Sequence, residues 1–204
     1  MKRLIYIIAA LVMAAGCEKE GEDITLTQMQ RIESYLTSSH SPRLISYDNL
    51  DEYMDDNNDP QFYETFGRAA YRYIVNYYDA GRNLRPEVTR GSRISVTYSA
   101  YDFTSYRAPA VADLFDTNDP AMEEQMAQSG WTMDGNPFYT FMPLMLTVGA
   151  GEVIAGVDAA LEGCRVGDEV EIFCTGSVAY GSSLVETLAK NTPQYWHIII
   201  NGKE

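Results

Sequence analysis

The sequence predicts an α+β domain with a largely antiparallel sheet. Several segments alternate apolar and polar residues with a period of two and are separated by turn residues, as half-buried strands are. Between the last of these strands lies one short segment with helical spacing, which is typical of an α+β fold. The 204 residues are 46% apolar and 22% charged, which is enough for one globular domain with an extension.

The first predicted element is a helix over about 25–38. Thr25 and Thr27 each precede a glutamine by three residues, and apolar residues follow at helical spacing. We therefore interpret 25–66 as a helical extension and 67–204 as the main domain.

Two alternating runs then predict strands. The first begins near Ala70, places tyrosines and Val75 on alternate positions, and ends at the turn 79–81. The second places Ile94, Val96 and Tyr98 on alternate positions after a turn at 90–91.

The middle of the domain carries an insertion at about 117–143. Asp119-Pro120 predicts the start of a short helix that Gly130 ends. An aromatic loop follows, with Trp131, Phe138, Tyr139 and Phe141.

The domain ends with one helix and two strands. Ile154, Val157 and Leu161 share one face of a helix that begins at Val153, and Gly163 ends it. The strands are predicted at 168–174 and 195–200.

The N-terminus predicts export. Residues 1–16 combine a basic start, a short apolar run and small residues, which is typical of a secretory signal and too short to span a membrane. Cys17 directly after Ala-Ala-Gly resembles a bacterial lipobox, so we predict a lipoprotein signal peptide, lipidation of Cys17 and an acidic tether at 17–24. An ordinary signal peptide with an incidental cysteine is the alternative. The predicted location is the cell envelope, outside the cytoplasm, with membrane contact by the lipid anchor only.

The overall charge limits the possible partners. Lys and Arg total 15 against 29 Asp and Glu, a net charge of −14. This charge repels phosphate backbones, and we predict no nucleic-acid partner. No later segment is apolar for long enough to span a membrane.

Catalytic groups for proton transfer are scarce. The chain has two histidines, His40 in a polar loop and His197 within a strand, which is little material for a metal site or a Ser-His-Asp triad. Gly149-Ala150-Gly151 lacks the third glycine of a dinucleotide motif. We predict neither a metal nor a cofactor. Cys164 and Cys174 are interpreted as buried apolar residues, with a disulfide as the alternative.

Several ordered motifs resemble one known family. The segment 149–168, Gly-Ala-Gly-Glu-Val-Ile-Ala-Gly-Val-Asp-Ala-Ala-Leu-Glu-Gly-Cys-Arg-Val-Gly-Asp, is similar to the signature helix and turn of FKBP-type peptidyl-prolyl isomerases. Ala179-Tyr180-Gly181 resembles the family's Ala-Tyr-Gly loop, Val96-Thr97-Tyr98 its tyrosine-bearing strand, and Leu114-Phe115-Asp116-Thr117 its Phe-Asp-Ser segment. Trp196 stands where the last strand supplies an aromatic residue.

The resemblance implies an antiparallel half-barrel sheet wrapped around the helix at 153–162, with a proline pocket between them. Tyr98, Asp116 and Tyr180 would be the catalytic residues. The substrate-binding residues would be Phe115, Leu146, Val153, Ile154, Val157 and Trp196, with the Ile154 N–H contacting a bound carbonyl. The implied partners are proline-containing polypeptides, and the implied activity is prolyl isomerisation that assists the folding of exported proteins.

Some positions depart from the family pattern. Val157 stands where a tryptophan usually forms the pocket floor, and Leu144 and Leu146 stand where aromatics are expected. These departures favour a second hypothesis, a non-catalytic FKBP-like module that binds peptides or proteins through an eroded active site.

Overall fold

A computed structural model describes residues 22–47, 59–65, 69–128, 132–133, 136–137, 141–183 and 188–204. The predicted signal peptide 1–16 and Cys17 lie outside these residues, as does most of the acidic tether. Within the described ranges, no helix is both long enough and apolar enough to cross a lipid bilayer.

The sheet is built from eight strands. They are β1 (Ile45–Tyr47), β2 (Gln61–Thr65), β3 (Ala70–Ile74), β4 (Arg93–Asp102), β5 (Leu114–Thr117), β8 (Leu144–Thr147), β9 (Glu169–Cys174) and β10 (Gln194–Lys203). The order across the sheet is β1-β2-β3-β9-β10-β4-β5, with β8 paired to β4. β1 and β2 pair in parallel, and the other described pairs of this sheet are antiparallel. The predicted α+β class with a largely antiparallel sheet is therefore confirmed.

Helix α3 (Ala155–Leu161) covers one face of this sheet. Its buried residues Val157, Ala160 and Leu161 belong to a cluster that includes alternate residues of the central strands, such as Ile172 and Ile198. The helix begins two residues later than predicted, because Ile154 has an extended ψ of 146° and serves as the N-cap.

Helix α1, described over 22–38, covers the opposite face. Ile32, Tyr35 and Leu36 pack with Tyr71 and Phe173 in a second cluster. Neighbouring residues of one strand point to opposite faces, so β3 and β9 send side chains into both clusters.

This arrangement differs from the predicted division of the chain. Residues 45–47 and 61–65, which we assigned to the helical extension 25–66, are strands of the same sheet as the main domain. Phe62 and Tyr63 are buried in β2, which pairs with β3. These strands are too short to give a clear period of two, so their sequence did not reveal them.

The first predicted strand is also shorter than its alternating pattern. β3 ends at Ile74, and the chain turns at 75–78. All five residues of β3 are buried, because helices cover both faces of the sheet. Alternate residues of β3 therefore face two different apolar clusters, and neither face of the strand is exposed to solvent.

The short helix predicted to start at Asp119-Pro120 is present. Asp119 accepts a hydrogen bond from the Ala121 N–H at 2.9 Å, a 3₁₀ turn covers Pro120–Met122, and α2 follows over Glu123–Gln128. Strands β6 (Thr132–Met133) and β7 (Asn136–Pro137) form a separate hairpin. Gly130, Trp131, Phe138 and Tyr139 lie outside the described residues, and Phe141 is half-buried.

Both internal cysteines are free thiols and fully buried. Burial raises the pKa of the Cys174 thiol above its ordinary value. The interpretation as apolar core residues agrees with this state, and the alternative disulfide is not formed.

Gly156 allows α3 to lie close to the sheet. A Cβ atom there would stand 2.5 Å from the Cys174 Sγ and 3.0 Å from Val178 Cγ2. We expect Gly156→Ala to lower the free energy of unfolding by up to about 2 kcal/mol, because overpacking costs about 1–3 kcal/mol and the gain in helix propensity is about 1 kcal/mol. Denaturant unfolding measures this loss.

Cys174→Ala provides the control for that prediction. It removes the sulfur that the new methyl group would meet. The double variant should therefore lose less free energy of unfolding than the two single variants lose together. Strictly additive effects would contradict the proposed clash.

Candidate functional site

A cavity of about 440 Å³ opens between the end of α3 that carries its N-cap and the strands β4, β5 and β10. The cavity combines aromatic and aliphatic side chains with two carboxylates. Its lining residues are Tyr98, Asp116, Leu144, Glu152, Val153, Ile154, Ala179, Tyr180, Ser183 and Trp196.

Most of the site residues named from the sequence line this cavity. They are Tyr98, Asp116, Val153, Ile154, Tyr180 and Trp196. They come from three strands, the segment before α3 and a loop after β9, and the fold brings them together.

Three predicted binding residues lie elsewhere. Val157 and Leu146 are 1% and 3% exposed and belong to the core under α3, so neither lines the cavity. Phe115 does not line the cavity; its ring packs edge-on against that of Trp196, with the centroids 6.2 Å apart. It lines a smaller neighbouring cavity of about 280 Å³.

Sequence reasoning missed four lining residues. Glu152 and Ala179 directly precede the predicted site residues Val153 and Tyr180. Their position next to these residues in the sequence could have identified them. Leu144 had been noted as a departure from the aromatic pattern. Ser183 carried no signal, because its approach depends on how the loop after β9 folds back.

The aromatic wall is formed by Tyr98 and Trp196. Their ring centroids are 5.3 Å apart and the ring planes meet at 30°. The Trp196 indole N–H donates to the buried Gln194 Oε1 at 2.9 Å. Because this N–H is satisfied within the protein, the ring can present an apolar surface to a ligand.

Asp116 places a partly buried carboxylate beside these rings. Its Oδ2 accepts a hydrogen bond from the Tyr98 hydroxyl at 2.9 Å. Burial raises the pKa of Asp116, while the hydrogen bonds from Tyr98 and from the Thr117 backbone lower it, and the net pKa lies above the ordinary value. A partly buried carboxylate is stabilised by further hydrogen bonds, so it can accept from a peptide N–H group in the cavity.

Asn118 fixes the strand that carries Tyr98. Its Oδ1 accepts from the Tyr98 backbone N–H at 2.6 Å, and its Nδ2 donates to the carbonyls of Val96 and Met142, each at 3.0 Å. The buried amide thus ties β4 to the chain where the insertion returns to the sheet.

The segment before α3 is held by Asp158. Its two carboxylate oxygens accept from the N–H groups of Gly149 at 2.7 Å and Gly151 at 3.0 Å, while Glu152 accepts from the Thr147 N–H at 2.8 Å. The glycine N–H groups that resemble a phosphate-binding loop therefore serve to position Val153 and Ile154.

Tyr180 lies on the loop after β9. The Gly181 N–H donates to the Gly176 carbonyl at 2.8 Å, and the Ser183 N–H donates to the Tyr180 carbonyl at 3.0 Å. Burial, and then the negative charge of Asp116, raise the pKa of the Tyr180 hydroxyl. The hydroxyl therefore stays protonated and can donate a hydrogen bond at neutral pH.

We expect Tyr98→Phe to raise the pKa of Asp116 further, because the change removes a hydrogen bond to the charged form. An NMR titration of the Asp116 carboxyl carbon measures the midpoint. A group whose folded-state pKa is raised contributes stability that is present below its unfolded pKa and lost as the pH rises through the folded pKa. The variant should therefore lose this contribution at a higher pH than the wild type.

Tyr101→Phe is the control for Tyr98→Phe. Tyr101 lies on the same strand but packs against Tyr195 on the opposite face of the sheet. An unchanged Asp116 midpoint in Tyr98→Phe would show that their hydrogen bond does not influence this carboxyl group.

Comparison with known proteins links this site to a family. Residues 124–200, less than half of the chain, match the model of the FKBP-type peptidyl-prolyl cis-trans isomerase family. This range includes Val153, Ile154, Tyr180 and Trp196 and excludes Tyr98 and Asp116.

One similar solved structure is the crystal structure of the three FKBP domains of wheat FKBP73. The identity is 11% and the TM-score is 0.49, over 71% of this chain and 51% of that one. The chain thus spans about half the length of that structure. None of the curated proteins matches this chain.

Proposed function

We propose that this protein is an FKBP-type peptidyl-prolyl cis-trans isomerase that binds Xaa-Pro segments in the 440 Å³ cavity. The observation that carries the proposal is the combination of an aromatic wall and a partly buried carboxylate within one cavity. The match of residues 124–200 to the family supports it. The proposal includes the half-barrel wrapping of the sheet around α3.

Prolyl isomerisation suits a site without a nucleophile. Rotation about the Xaa-Pro bond breaks amide conjugation and moves no proton, and its barrier is about 18–20 kcal/mol. The twisted amide is less dipolar than the planar one, so an apolar cavity disfavours the planar ground state more. A lowering of the barrier by about 3 kcal/mol accelerates the step more than a hundredfold.

Each polar group has a role in this proposal. The Tyr180 hydroxyl donates to a peptide carbonyl, and the Ile154 N–H contacts a second carbonyl. Asp116, held by Tyr98, interacts with the rotated amide, while Trp196 and Val153 contact the proline ring. These roles make Tyr98, Asp116 and Tyr180 the proposed catalytic group.

A second candidate is a binding module without catalysis. Val157 lies in the core and not at the cavity surface, so α3 supplies no aromatic floor there. A shallower site would bind proline peptides and stabilise the planar and twisted amides equally, which gives no acceleration.

The isomerisation of a chromogenic tetrapeptide with a Phe-Pro bond tests the proposal. We expect acceleration by the purified protein and a loss of about 2–10-fold in kcat/KM for Tyr180→Phe, since one hydrogen bond contributes about 0.5–1.5 kcal/mol. Tyr78→Phe is a matched control, because the Tyr78 hydroxyl bonds to the Asp59 carbonyl. Peptide binding without acceleration would favour the second candidate, and neither binding nor acceleration would overturn both.

We also propose that the chain is lipid-anchored through Cys17 and acts on exported polypeptides in the cell envelope. The support is the apolar run followed by Ala-Ala-Gly-Cys at the N-terminus. We expect Cys17→Ser to move the protein from the membrane fraction to the soluble fraction. An unchanged membrane fraction would contradict lipidation, and soluble wild-type protein would favour an ordinary signal peptide.

A further inference from the structure

A closed ring of hydrogen bonds connects helix α1 to the loop that carries Tyr180. Gln28 of α1 accepts from the Gly176 N–H at 2.7 Å and donates to the Asn191 carbonyl at 2.8 Å. The Asn191 N–H donates to the Gly181 carbonyl at 2.7 Å, and the Gly181 N–H donates to the Gly176 carbonyl at 2.8 Å. The ring therefore returns to its first residue, and Tyr180 directly precedes one of its members.

We propose that Gln28 is a positioning residue, which holds the Tyr180 loop in the geometry that the cavity requires. The proposal rests on the function proposed above and extends it to a residue of the first helix. Gln28 lies 148 residues from Gly176 along the chain and outside the family match.

The Gln28 side chain in this orientation satisfies both contacts. The Gly176 N–H needs an acceptor, and the Asn191 carbonyl needs a donor, which the amide of Gln28 supplies from one planar group. Gln28 is 8% exposed, so water does not easily replace it. Without it, a buried N–H and a carbonyl would lose their partners.

The loop has little freedom to compensate for the loss. A Cβ atom at Gly176 would lie 2.2 Å from the Asn191 carbonyl oxygen, so these backbones are in direct contact. Asn191 itself has a left-handed φ of 56°, which few residues other than glycine adopt. A change at Gln28 therefore acts on Gly176 and Asn191 together, and through Gly181 on the position of Tyr180.

The first test compares two variants of the full chain. Gln28→Met keeps the length of the side chain and removes both hydrogen bonds. Ile32→Val removes one methylene from the same helix, in a cluster that contains no residue of 176–183 among those described. Amide hydrogen exchange at Gly181 and Asn191 reports the ring directly, and affinity for a Phe-Pro tetrapeptide reports the site.

We expect at least tenfold faster exchange at Gly181 and Asn191 in Gln28→Met, relative to Ile32→Val, together with a several-fold weaker affinity for the peptide. Equal exchange in the two variants would overturn the inference. If the wild type neither binds nor isomerises the peptide, the proposed function fails, while the exchange measurement still decides whether Gln28 holds the loop.

In the variant Gln28→Glu, lowering the pH should restore the ring of hydrogen bonds. The ionised carboxylate can accept from the Gly176 N–H but opposes the Asn191 carbonyl, whereas the protonated acid can donate to that carbonyl and restore the ring. We expect the ratio of variant to wild-type exchange rates at Gly181 to be high at pH 8 and to approach one at pH 5. A ratio that does not depend on pH would contradict the paired donor and acceptor role.

Discussion

Asp168→Ala is expected to lower the free energy of unfolding by about 3–5 kcal/mol, because it leaves a buried guanidinium without its partner. Asp168 is fully buried and accepts from Arg82 Nε at 2.8 Å and from Arg82 Nη2 at 2.6 Å. Its Oδ2 also accepts from the Arg165 backbone N–H at 2.8 Å. Denaturant unfolding measures the loss.

Arg82 is almost fully buried, which makes the loss of its partner costly. It is 5% exposed, and its guanidinium lies 4.5 Å from the centre of the Tyr77 ring. The double variant Arg82→Met/Asp168→Leu removes both charges, so it should recover most of the stability that Asp168→Ala loses.

Arg85→Met is the control, because it removes a more distant and more exposed partner of the same carboxylate. Arg85 Nη1 lies 3.9 Å from Asp168 Oδ1, and its side chain is 28% exposed. Exposed and distant pairs contribute about 0–1 kcal/mol, so this variant should have a small effect. A loss below about 1 kcal/mol for Asp168→Ala would show that the buried pair does not stabilise the fold.

The sequence predicted the elements that line the cavity because their signals are local. The helix near 153–162, the strand with Tyr98 and the loop with Tyr180 each carry a short motif, and the structure places all of them around one cavity. Hydrophobic periodicity was sufficient for the last two strands, since their alternation depends on their own residues.

Side-chain direction could not be predicted in the same way. Val157 was assigned to the cavity from its position in a motif, but α3 begins at Ala155 and turns Val157 toward the sheet. Leu146 lies two residues beyond Leu144 on the same face of β8, where the core under α3 covers it. A shift of one or two residues decides between cavity and core, and sequence patterns rarely fix an element's start that closely.

The position of α1 depends on contacts between distant residues. An amphipathic pattern shows that a helix must bury one face and does not show against which surface. Tyr71, Phe173 and Tyr195 create that surface only after three strands have paired. The sequence indicated Gln28 only as a helix-capping residue three positions after Thr25. Its contacts with the Tyr180 loop could not be predicted, because both partners lie more than a hundred residues away.

Glu171→Gln is expected to lower the free energy of unfolding by about 2–4 kcal/mol. The change removes the charge that pairs with a buried histidine where the end of α1 contacts the sheet. Glu171 Oε2 lies 2.7 Å from His40 Nε2, and its Oε1 accepts from the Tyr195 hydroxyl at 2.9 Å. His40 Nδ1 faces the Pro42 carbonyl. Both ring nitrogens therefore face acceptors, which favours the doubly protonated imidazolium.

The pH dependence of stability should reverse sign between wild type and this variant. In the wild type, burial alone lowers the pKa of His40, but Glu171 and the Pro42 carbonyl raise it to a net value above 6.5. The resulting stability is present below pH 6.5 and is lost as the pH rises through the folded-state pKa. In Glu171→Gln the charge is gone and burial dominates, so the folded-state pKa of His40 falls below 6.5. Stability should then rise with pH below 6.5 and no longer fall above it.

His197→Gln separates this effect from that of the second histidine. His197 pairs with Glu169 at 2.8 Å, but the two side chains are 28% and 42% exposed, so the pair contributes little. Unfolding curves from pH 5.5 to 8.5 should keep the wild-type fall above pH 6.5 in His197→Gln. In Glu171→Gln this fall should be absent, with a rise below pH 6.5 in its place. Wild-type stability that does not fall across this range would show that His40 is neutral in the folded protein, and α1 would then depend on apolar packing and Gln28 for its attachment.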